Sequence, residues 1–220
     1  MEEDGGHSEG HHGQMTIRGA VIDKQGNKSN EWELDNRVCD CCQTAAAITE
    51  NGPVVVYRDR SEQEIRDMSI VRLIDGKWTT PKPIFADNWK IEGCPVNGPR
   101  IDAIGNSMAV AWVTSPEKNA QVNIVFSSDG GATFAKPVRI DEGKCIGRVD
   151  MVMIDEKTVI VCWMEGPMIK AAKVYSDGKK EPSMIIASSS ESRSSGFPQL
   201  TTSGDNLIFA WTDDTEKKIK

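Results

Sequence analysis

Four stretches of the chain repeat one pattern of apolar and polar positions. They read AAAITENGPVVVYRD, RIDAIGNSMAVAWVT, VDMVMIDEKTVIVCWME and PQLTTSGDNLIFAWTD. In each, an apolar run meets a short polar turn, and a second apolar run follows and closes on an aromatic residue. The β-branched content of these runs favours strands, and the turn between them predicts an antiparallel hairpin. The closing aromatics recur about every fifty residues, at Tyr57, Trp112, Trp163 and Trp211.

A third and a fourth strand are predicted after each of the first three hairpins. The third strands are DMSIVRLI, QVNIVFSS and MIKAAKVY, and the fourth are the short runs KPIF, KPVRI and SMIIA. Four antiparallel strands in about fifty residues are typical of a propeller blade. The sequence therefore predicts an all-β fold, a β-propeller of four-stranded antiparallel blades with about four blades represented. The repeats are expected near 15–36, 37–90, 91–144, 145–190 and 191–220.

The segment SSDGGATF carries the most specific motif, in the turn between the third and fourth strands of one repeat. It matches the Asp-box pattern S-x-D-x-G-x-T-(W/F) through Ser127, Asp129, Gly131, Thr133 and Phe134. In such a turn we expect Asp and Ser side chains to bond nearby backbone N–H groups, with Gly at positive φ. Shorter versions, LIDGKW and YSDGKK, occupy the same place in neighbouring repeats. We expect this motif to be structural.

With this motif and the phased repeats, residues 15–220 resemble the sialidase superfamily and its BNR-repeat relatives. The resemblance implies a propeller of usually six blades. Third-strand patterns stand at both ends of the chain, in MTIRGAVID and KKIK. We therefore interpret the chain as part of a six-bladed propeller, with a closed four-bladed propeller as the alternative. An unclosed propeller exposes strand edges, so we expect low stability or aggregation.

Composition restricts the classes of function. The formal net charge of -7 argues against a nucleic-acid partner, which needs an excess of Lys and Arg. No run of about twenty apolar residues is present, and the start MEEDGGHSEGHHGQ lacks the pattern of a signal peptide. Six cysteines favour an oxidising compartment, so we expect a secreted, periplasmic or surface-anchored protein. Residues 1–14 are predicted to form a flexible segment, with metal collection as the alternative, and hold the histidines His7, His11 and His12.

Arginine and aspartate recur where the first strand of each repeat begins, in DNRVCD, GPRIDA and GRVDMV. First strands line the axis of a propeller, and converging guanidinium groups predict a site for an anionic group at its mouth. The resemblance implies a glycan ligand, an arginine trio on the sugar carboxylate, and an Asp acting as acid or base. It assigns the binding role to Arg100, Arg148, Arg37 and Arg58, and the acid role to Asp102 and Asp40. The alternative is that these residues only pair between adjacent blades.

The same resemblance implies a tyrosine nucleophile paired with a glutamate. The chain has two tyrosines, and Tyr57 is a closing aromatic whereas Tyr175 lies beside a peripheral turn. Neither suits a nucleophile. The sequence therefore leaves two functions open: an exo-sialidase-type glycoside hydrolase in the full-length protein, or a non-catalytic binding or interaction propeller with a cysteine-based metal or disulfide site. Trp89 breaks the fifty-residue period and is the candidate for stacking on a ligand.

The segment CDCCQ is the feature that a plain sialidase does not explain. It brings Cys39, Cys41 and Cys42 together, and Cys94 follows in the next repeat. One hypothesis is a disulfide from Cys94 to one of the three, which would join consecutive blades at the mouth. The other is a copper or zinc ion bound by the thiolates. We favour the disulfide because the spacing C-x-C-C matches no common zinc module, and then no cofactor is required.

Overall fold

The computed structural model describes residues 14–220, which form eighteen strands in five consecutive antiparallel sheets. The first sheet contains β1 (Ile17–Ile22) and β2 (Lys28–Asp35). The second contains β3 (Ala45–Thr49), β4 (Gly52–Arg58), β5 (Met68–Ile74), β6 (Lys77–Trp78) and β7 (Lys82–Phe85). The third contains β8 (Arg100–Ile104), β9 (Ser107–Thr114), β10 (Gln121–Ser127) and β11 (Val138–Arg139). The fourth contains β12 (Cys145–Asp155), β13 (Thr158–Glu165), β14 (Met168–Tyr175) and β15 (Met184–Ser188), and the fifth β16 (Gly196–Ser203), β17 (Asn206–Asp213) and β18 (Lys218–Ile219).

The predicted all-β fold with four-stranded antiparallel blades is confirmed. The third and fourth sheets each run from an inner strand to an outer strand in the order of the chain. One short 3-10 turn, Pro116–Lys118, is the helical element of the described residues. None of their helices is long and apolar enough to cross a lipid bilayer.

The core lies between the sheets. Each of four clusters of buried side chains joins two consecutive sheets. Strands β9 and β13 are buried along nearly their whole length, because a sheet covers each of their faces. This explains why SMAVAWVT and TVIVCWME read as continuous apolar runs rather than as alternating ones.

The closing aromatics anchor this packing. Tyr57, Trp112 and Trp163 are at most 1% exposed. Each donates a hydrogen bond from its polar group to a carboxylate, as buried Tyr and Trp usually do. The Tyr57 hydroxyl donates to Asp35 at 2.6 Å, and the Trp112 indole N–H donates to Asp87 at 2.7 Å. Because Asp35 ends β2 and Asp87 follows β7, both in the preceding sheet, these bonds fix one sheet against the next.

The inner strands β3, β8, β12 and β16 lie side by side around one axis. The Asp102 carboxylate accepts the backbone N–H of Met153 at 2.8 Å, and Asp150 accepts that of Leu200 at 2.7 Å. At the start of the strands, the Gln43 side chain accepts the N–H of Gly98 at 3.0 Å. The N-terminal ends of the inner strands therefore meet at one end of the structure, which we call the axial face.

The Asp-box turn lies at the opposite end of these strands. The N–H of Gly131 donates to Ser127 Oγ at 3.0 Å, and the N–H of Thr133 donates to Asp129 Oδ1 at 2.9 Å. Gly131 has a φ of +81°. Burial opposes ionisation, but hydrogen bonds from Thr133 and Ser127 outweigh it and lower the pKa of Asp129 to about 2. The N–H of Gly130 donates to the carbonyl oxygen of Asn106 in the turn between β8 and β9, so the Asp-box turn lies away from the axial face.

Candidate ligand site on the axial face

A small pocket opens on the axial face where four sheets meet. We call it the axial pocket, and its polar and aromatic lining comes from Gln43, Asn97, Arg100, Arg148, Phe197 and Gln199. Its volume is about 30 Å³. That is room for one small group such as a carboxylate, and a sugar ring would remain outside on the surface.

Arg100 contacts its neighbours through Nε, whereas its terminal nitrogens, Nη1 and Nη2, remain open. Its Nε donates to the carbonyl oxygen of Val149 at 3.3 Å and lies 3.3 Å from the Asp150 carboxylate. The side chain is 29% exposed. Neither terminal nitrogen of Arg100 forms a hydrogen bond with another residue of the range 14–220. The guanidinium is thus fixed in place while its two Nη groups remain available.

Arg148 faces the same pocket, but its contacts hold the following loop. Its Nη2 donates to the carbonyl oxygen of Ser192 at 2.9 Å, and its Nη1 donates to that of Ser195. The guanidinium carbon lies 4.6 Å from the centre of the Phe197 ring. Burial lowers the pKa of Arg148. Most of this guanidinium is committed to the loop that precedes β16.

Arg58 and Trp89, both assigned to the ligand from the sequence, lie inside the protein. Arg58 is 1% exposed and Trp89 is 8% exposed, with the guanidinium 4.7 Å from the ring centre. The Arg58 guanidinium donates to the carbonyl oxygens of Arg66, Asn97 and Val113. The Arg58 guanidinium therefore presents no free N–H donor to solvent, and the Trp89 ring presents no open face. We therefore correct both assignments, because these residues contribute to the packing between sheets.

Asp102, one candidate acid, is used by the backbone. One carboxylate oxygen accepts the N–H of Met153 and the other accepts the N–H of Ala103, both at 2.8 Å. With both oxygens engaged, the carboxylate joins two inner strands rather than facing a ligand. Its contacts favour pairing between blades, the alternative that the sequence left open.

The other candidate acid, Asp40, lies in a second groove beside the cysteines, which we call the cysteine groove. Asp40 is 41% exposed there and lies 3.6 Å from Arg66 and 3.8 Å from Arg60. Glu64 binds both arginines, at 2.9 and 3.0 Å. Hydrogen bonds from Arg60 and then Arg66 lower the pKa of Glu64 against the effect of burial. Arg37 points at the same glutamate, 3.4 Å away, and so lies outside the axial pocket.

Two disulfides stand at the edge of this groove. Cys39 is bonded to Cys42, and Cys41 is bonded to Cys94. The predicted disulfide between Cys94 and the CDCC segment is confirmed, and it joins the segment before β3 to the segment before β8. The sulfur atoms of Cys39, Cys41 and Cys42 also lie within 4.8 Å of one another, close enough to hold one metal ion.

The two tyrosines lie away from the axial pocket. Tyr57 is buried against Asp35, and burial followed by the hydrogen bond to Asp35 raises the pKa of its hydroxyl. Tyr175 donates to Glu181 at the peripheral turn after β14. No tyrosine of the described residues is placed to attack a sugar bound at Arg100.

Asn97 and Arg66 are site residues that the sequence analysis missed. The Asn97 side chain accepts the N–H of Arg148 at 2.8 Å, and its carbonyl oxygen accepts from Arg58. Its place in GCPVNGP, directly before Gly98 and Pro99, marks a turn and is the available signal. Arg66 is 3% exposed in the loop after β4. Nothing in the pattern SEQEIRD distinguishes it from a solvated loop arginine. The histidines His7, His11 and His12 lie outside the described residues.

Two solved structures show the same type of fold. A variant of the NanB sialidase from Streptococcus pneumoniae matches with a TM-score of 0.54 and 12% identity, over 93% of this chain and 34% of that chain. A variant of the Aleuria aurantia lectin, in complex with alpha-methyl-L-fucoside, matches with a TM-score of 0.54 and 15% identity, over 93% of this chain and 68% of that chain.

The chain thus spans about a third of that sialidase and about two thirds of that lectin. No family model and no curated protein matches it in sequence. At these identities the likeness establishes the fold: the described residues form propeller-type blades of the kind found in a sialidase and in a lectin.

Proposed function

We propose that this chain binds an anionic carbohydrate, with the carboxylate of the sugar held by Arg100 in the axial pocket. The observation that carries the proposal is the state of Arg100: its Nε is anchored at Val149 and Asp150, and its terminal nitrogens are free among the described residues. A guanidinium fixed in this way presents two parallel N–H donors, the geometry that a carboxylate accepts.

The dimensions of the pocket support a carboxylate as the recognised group. A volume of about 30 Å³ suits the carboxylate and leaves the ring at the surface. The fold adds support, because one protein of this fold is a sialidase and another was solved with a bound fucoside. We infer that Arg148 contributes its positive charge, while most of its donors serve the loop.

For this chain we propose binding without hydrolysis. A sialidase-type reaction needs a tyrosine nucleophile, and neither Tyr57 nor Tyr175 faces Arg100. Exo-sialidase-type activity would have to come from further residues of a full-length protein. We also propose an extracytoplasmic BNR-type propeller, because the two disulfides are of the kind that persists in oxidising compartments.

Calorimetric titration of the non-reduced chain with 3′-sialyllactose and with lactose tests the proposal. We expect binding of the sialylated sugar and at least tenfold weaker binding of lactose. Substitution Arg100→Met should weaken sialyllactose binding by about 10- to 100-fold, as expected when a charge-assisted hydrogen bond is lost. Arg100→Lys should restore only part of it, because an ammonium does not form the bidentate fork.

Arg18→Met is the matched control, since Arg18 is an exposed arginine of β1 that pairs with Glu31 and lies away from the pocket. It should bind sialyllactose as the unmodified chain does. Equal affinity for lactose and sialyllactose, or an Arg100→Met variant that is folded and binds normally, would contradict the proposal.

A further inference from the structure

Four sulfur atoms form a contiguous group at the cysteine groove. Cys39 is bonded to Cys42, Cys41 is bonded to Cys94, and the sulfurs of Cys39 and Cys41 are 3.8 Å apart. A tetrahedral thiolate site with metal–sulfur bonds of about 2.3 Å has sulfurs separated by about 3.8 Å. The backbone therefore already brings three of these sulfurs, those of Cys39, Cys41 and Cys42, within reach of a single ion, and Cys94 is bonded to one of the three.

A buried cation points into this group. Arg66 is 3% exposed, and its Nη1 lies 3.4 Å from the sulfur of Cys39. Its Nε has no hydrogen-bond partner among the described residues. A guanidinium in this position favours the thiolate over the thiol, and it offsets the negative charge that several thiolates would bring together.

The surroundings hold Arg66 in place, bury Cys39 and leave the other end of the sulfur group open to solvent. Glu64 bonds Arg66 at 2.9 Å and Arg60 at 3.0 Å, so the guanidinium cannot turn away from Cys39. Cys94 is exposed, and Cys41 is half-buried. An ion can thus enter from the groove, as a functional metal site requires.

We propose that the four cysteines, once reduced, form a thiolate site for a soft closed-shell cation of the Cu(I) or Zn(II) class. Thiolate ligands select both ions, which share this chemistry. Reduction of each disulfide takes two electrons and two protons, supplied by a dithiol that is itself oxidised to a disulfide. Two dithiols therefore convert the group into four thiols, and a bound cation then displaces their protons. This site is independent of the sugar proposal, because it uses no residue of the axial pocket.

The test uses the full chain, reduced without oxygen by a trialkylphosphine that is then removed. Cu(I) is titrated in competition with bicinchoninate, and Zn(II) in competition with a pyridylazo dye. We expect one equivalent of ion per chain to be retained against the chelator. Cys39→Ser and Cys42→Ser should each weaken retention at least tenfold. The ion that is held more tightly identifies the cation that the site prefers.

Two controls separate this site from other donors. Cys162→Ala removes a fully buried thiol of β13 and should retain the ion. Substitution of His7, His11 and His12 by alanine removes the three imidazole donors of the chain and should also leave binding unchanged. Arg66→Met should weaken binding, and Arg66→Lys should restore part of it.

Circular dichroism accompanies each titration. If the reduced chain loses structure, we expect the ion to restore it in the unmodified chain and not in Cys39→Ser. The proposal is overturned if the reduced chain retains no ion and regains no structure. It is also overturned if Cys39→Ser and Cys42→Ser bind normally, or if loss of the three histidines abolishes binding.

Discussion

Replacing Arg58 by methionine should destabilise the fold severely, although no ligand touches this residue. Arg58 lies at the end of β4, 1% exposed, and its guanidinium extends toward the segment before β8 and the end of β9. It donates at 2.7 Å to the carbonyl oxygens of Asn97 and Val113. It also donates to the carbonyl oxygen of Arg66 at 2.7 Å. One side chain thus ties three backbone segments together.

The magnitude follows from what the substitution leaves behind. Three carbonyl oxygens lose their charged donor, and each buried unpaired polar group costs about 1–3 kcal/mol. The stack on Trp89, with 4.7 Å between the guanidinium carbon and the ring centre, adds about 1 kcal/mol. Methionine fills part of the volume and recovers some of this. We therefore expect the free energy of unfolding to fall by about 3–5 kcal/mol.

Urea unfolding followed by tryptophan fluorescence and circular dichroism measures this change. Arg18→Met is the control, since that arginine is exposed and makes only surface ion pairs. We expect no measurable change there. If Arg58→Met lowers the free energy of unfolding by less than about 1 kcal/mol, the bonds between the blades do not stabilise the fold as argued.

Two further predictions concern the two ends of the inner strands. The pKa of Asp129 lies at about 2, below its ordinary value of 3.8, so its contribution to stability is present above about pH 4 and is lost as the pH falls toward 2. Asp129→Asn should lower the free energy of unfolding by about 1 kcal/mol at pH 7, after allowance for solvent screening, and by less at pH 2.5; an equal effect at both pH values would refute this. Cys94→Ala opens a disulfide that spans 53 residues, which should cost about 4 kcal/mol by chain entropy. Urea midpoints measure it, and a change below about 1 kcal/mol would show that the bond does not constrain the unfolded chain.

Most of the sheet architecture could be predicted from the sequence, because strands buried on both faces are continuous apolar runs and the turns between them are short polar segments. Strand β4 ends at the residue after Tyr57, and β9 and β13 extend two residues beyond Trp112 and Trp163. Two local features escaped prediction. The segment LIDGKW forms an added hairpin partner, β6, so β5 pairs with both β6 and β7. Strand β12 also begins several residues before its apolar run and is interrupted by irregular register at Gly147.

Gly147 shows why such irregularities are hard to predict. Its φ is +94°, and a Cβ there would collide with the side chain of Val113. The requirement for glycine comes from a residue of another sheet. A single sequence gives the glycine, but it does not reveal the neighbour that excludes every larger residue. The bend at Gly147 in turn sets the position of Arg148, so the site depends on a contact that the local pattern does not encode.

The candidate site was less predictable because its residues share a type and differ in surroundings. Arg58 ends β4 and Arg100 begins β8, whereas Arg37 lies between β2 and β3 and Arg148 lies near the start of β12. The structure divides them between the axial pocket, the cysteine groove and the interior. Cysteine pairing was easier to predict, since it required only that consecutive repeats meet at the same end of their inner strands.

The number of backbone acceptors around each guanidinium explains this division. Arg58 lies deepest and is surrounded by three carbonyl oxygens, so its buried donors are satisfied within the protein. Arg148 is half-buried and gives its terminal nitrogens to two carbonyl oxygens of one loop. Arg100 meets one carbonyl oxygen and one carboxylate, both at Nε. Guanidinium N–H groups that already bond to oxygens of the protein are not available to bind a ligand. The loss of sugar affinity on truncation should therefore decrease in the order Arg100, Arg148, Arg58, whereas the loss of stability should be greatest for Arg58.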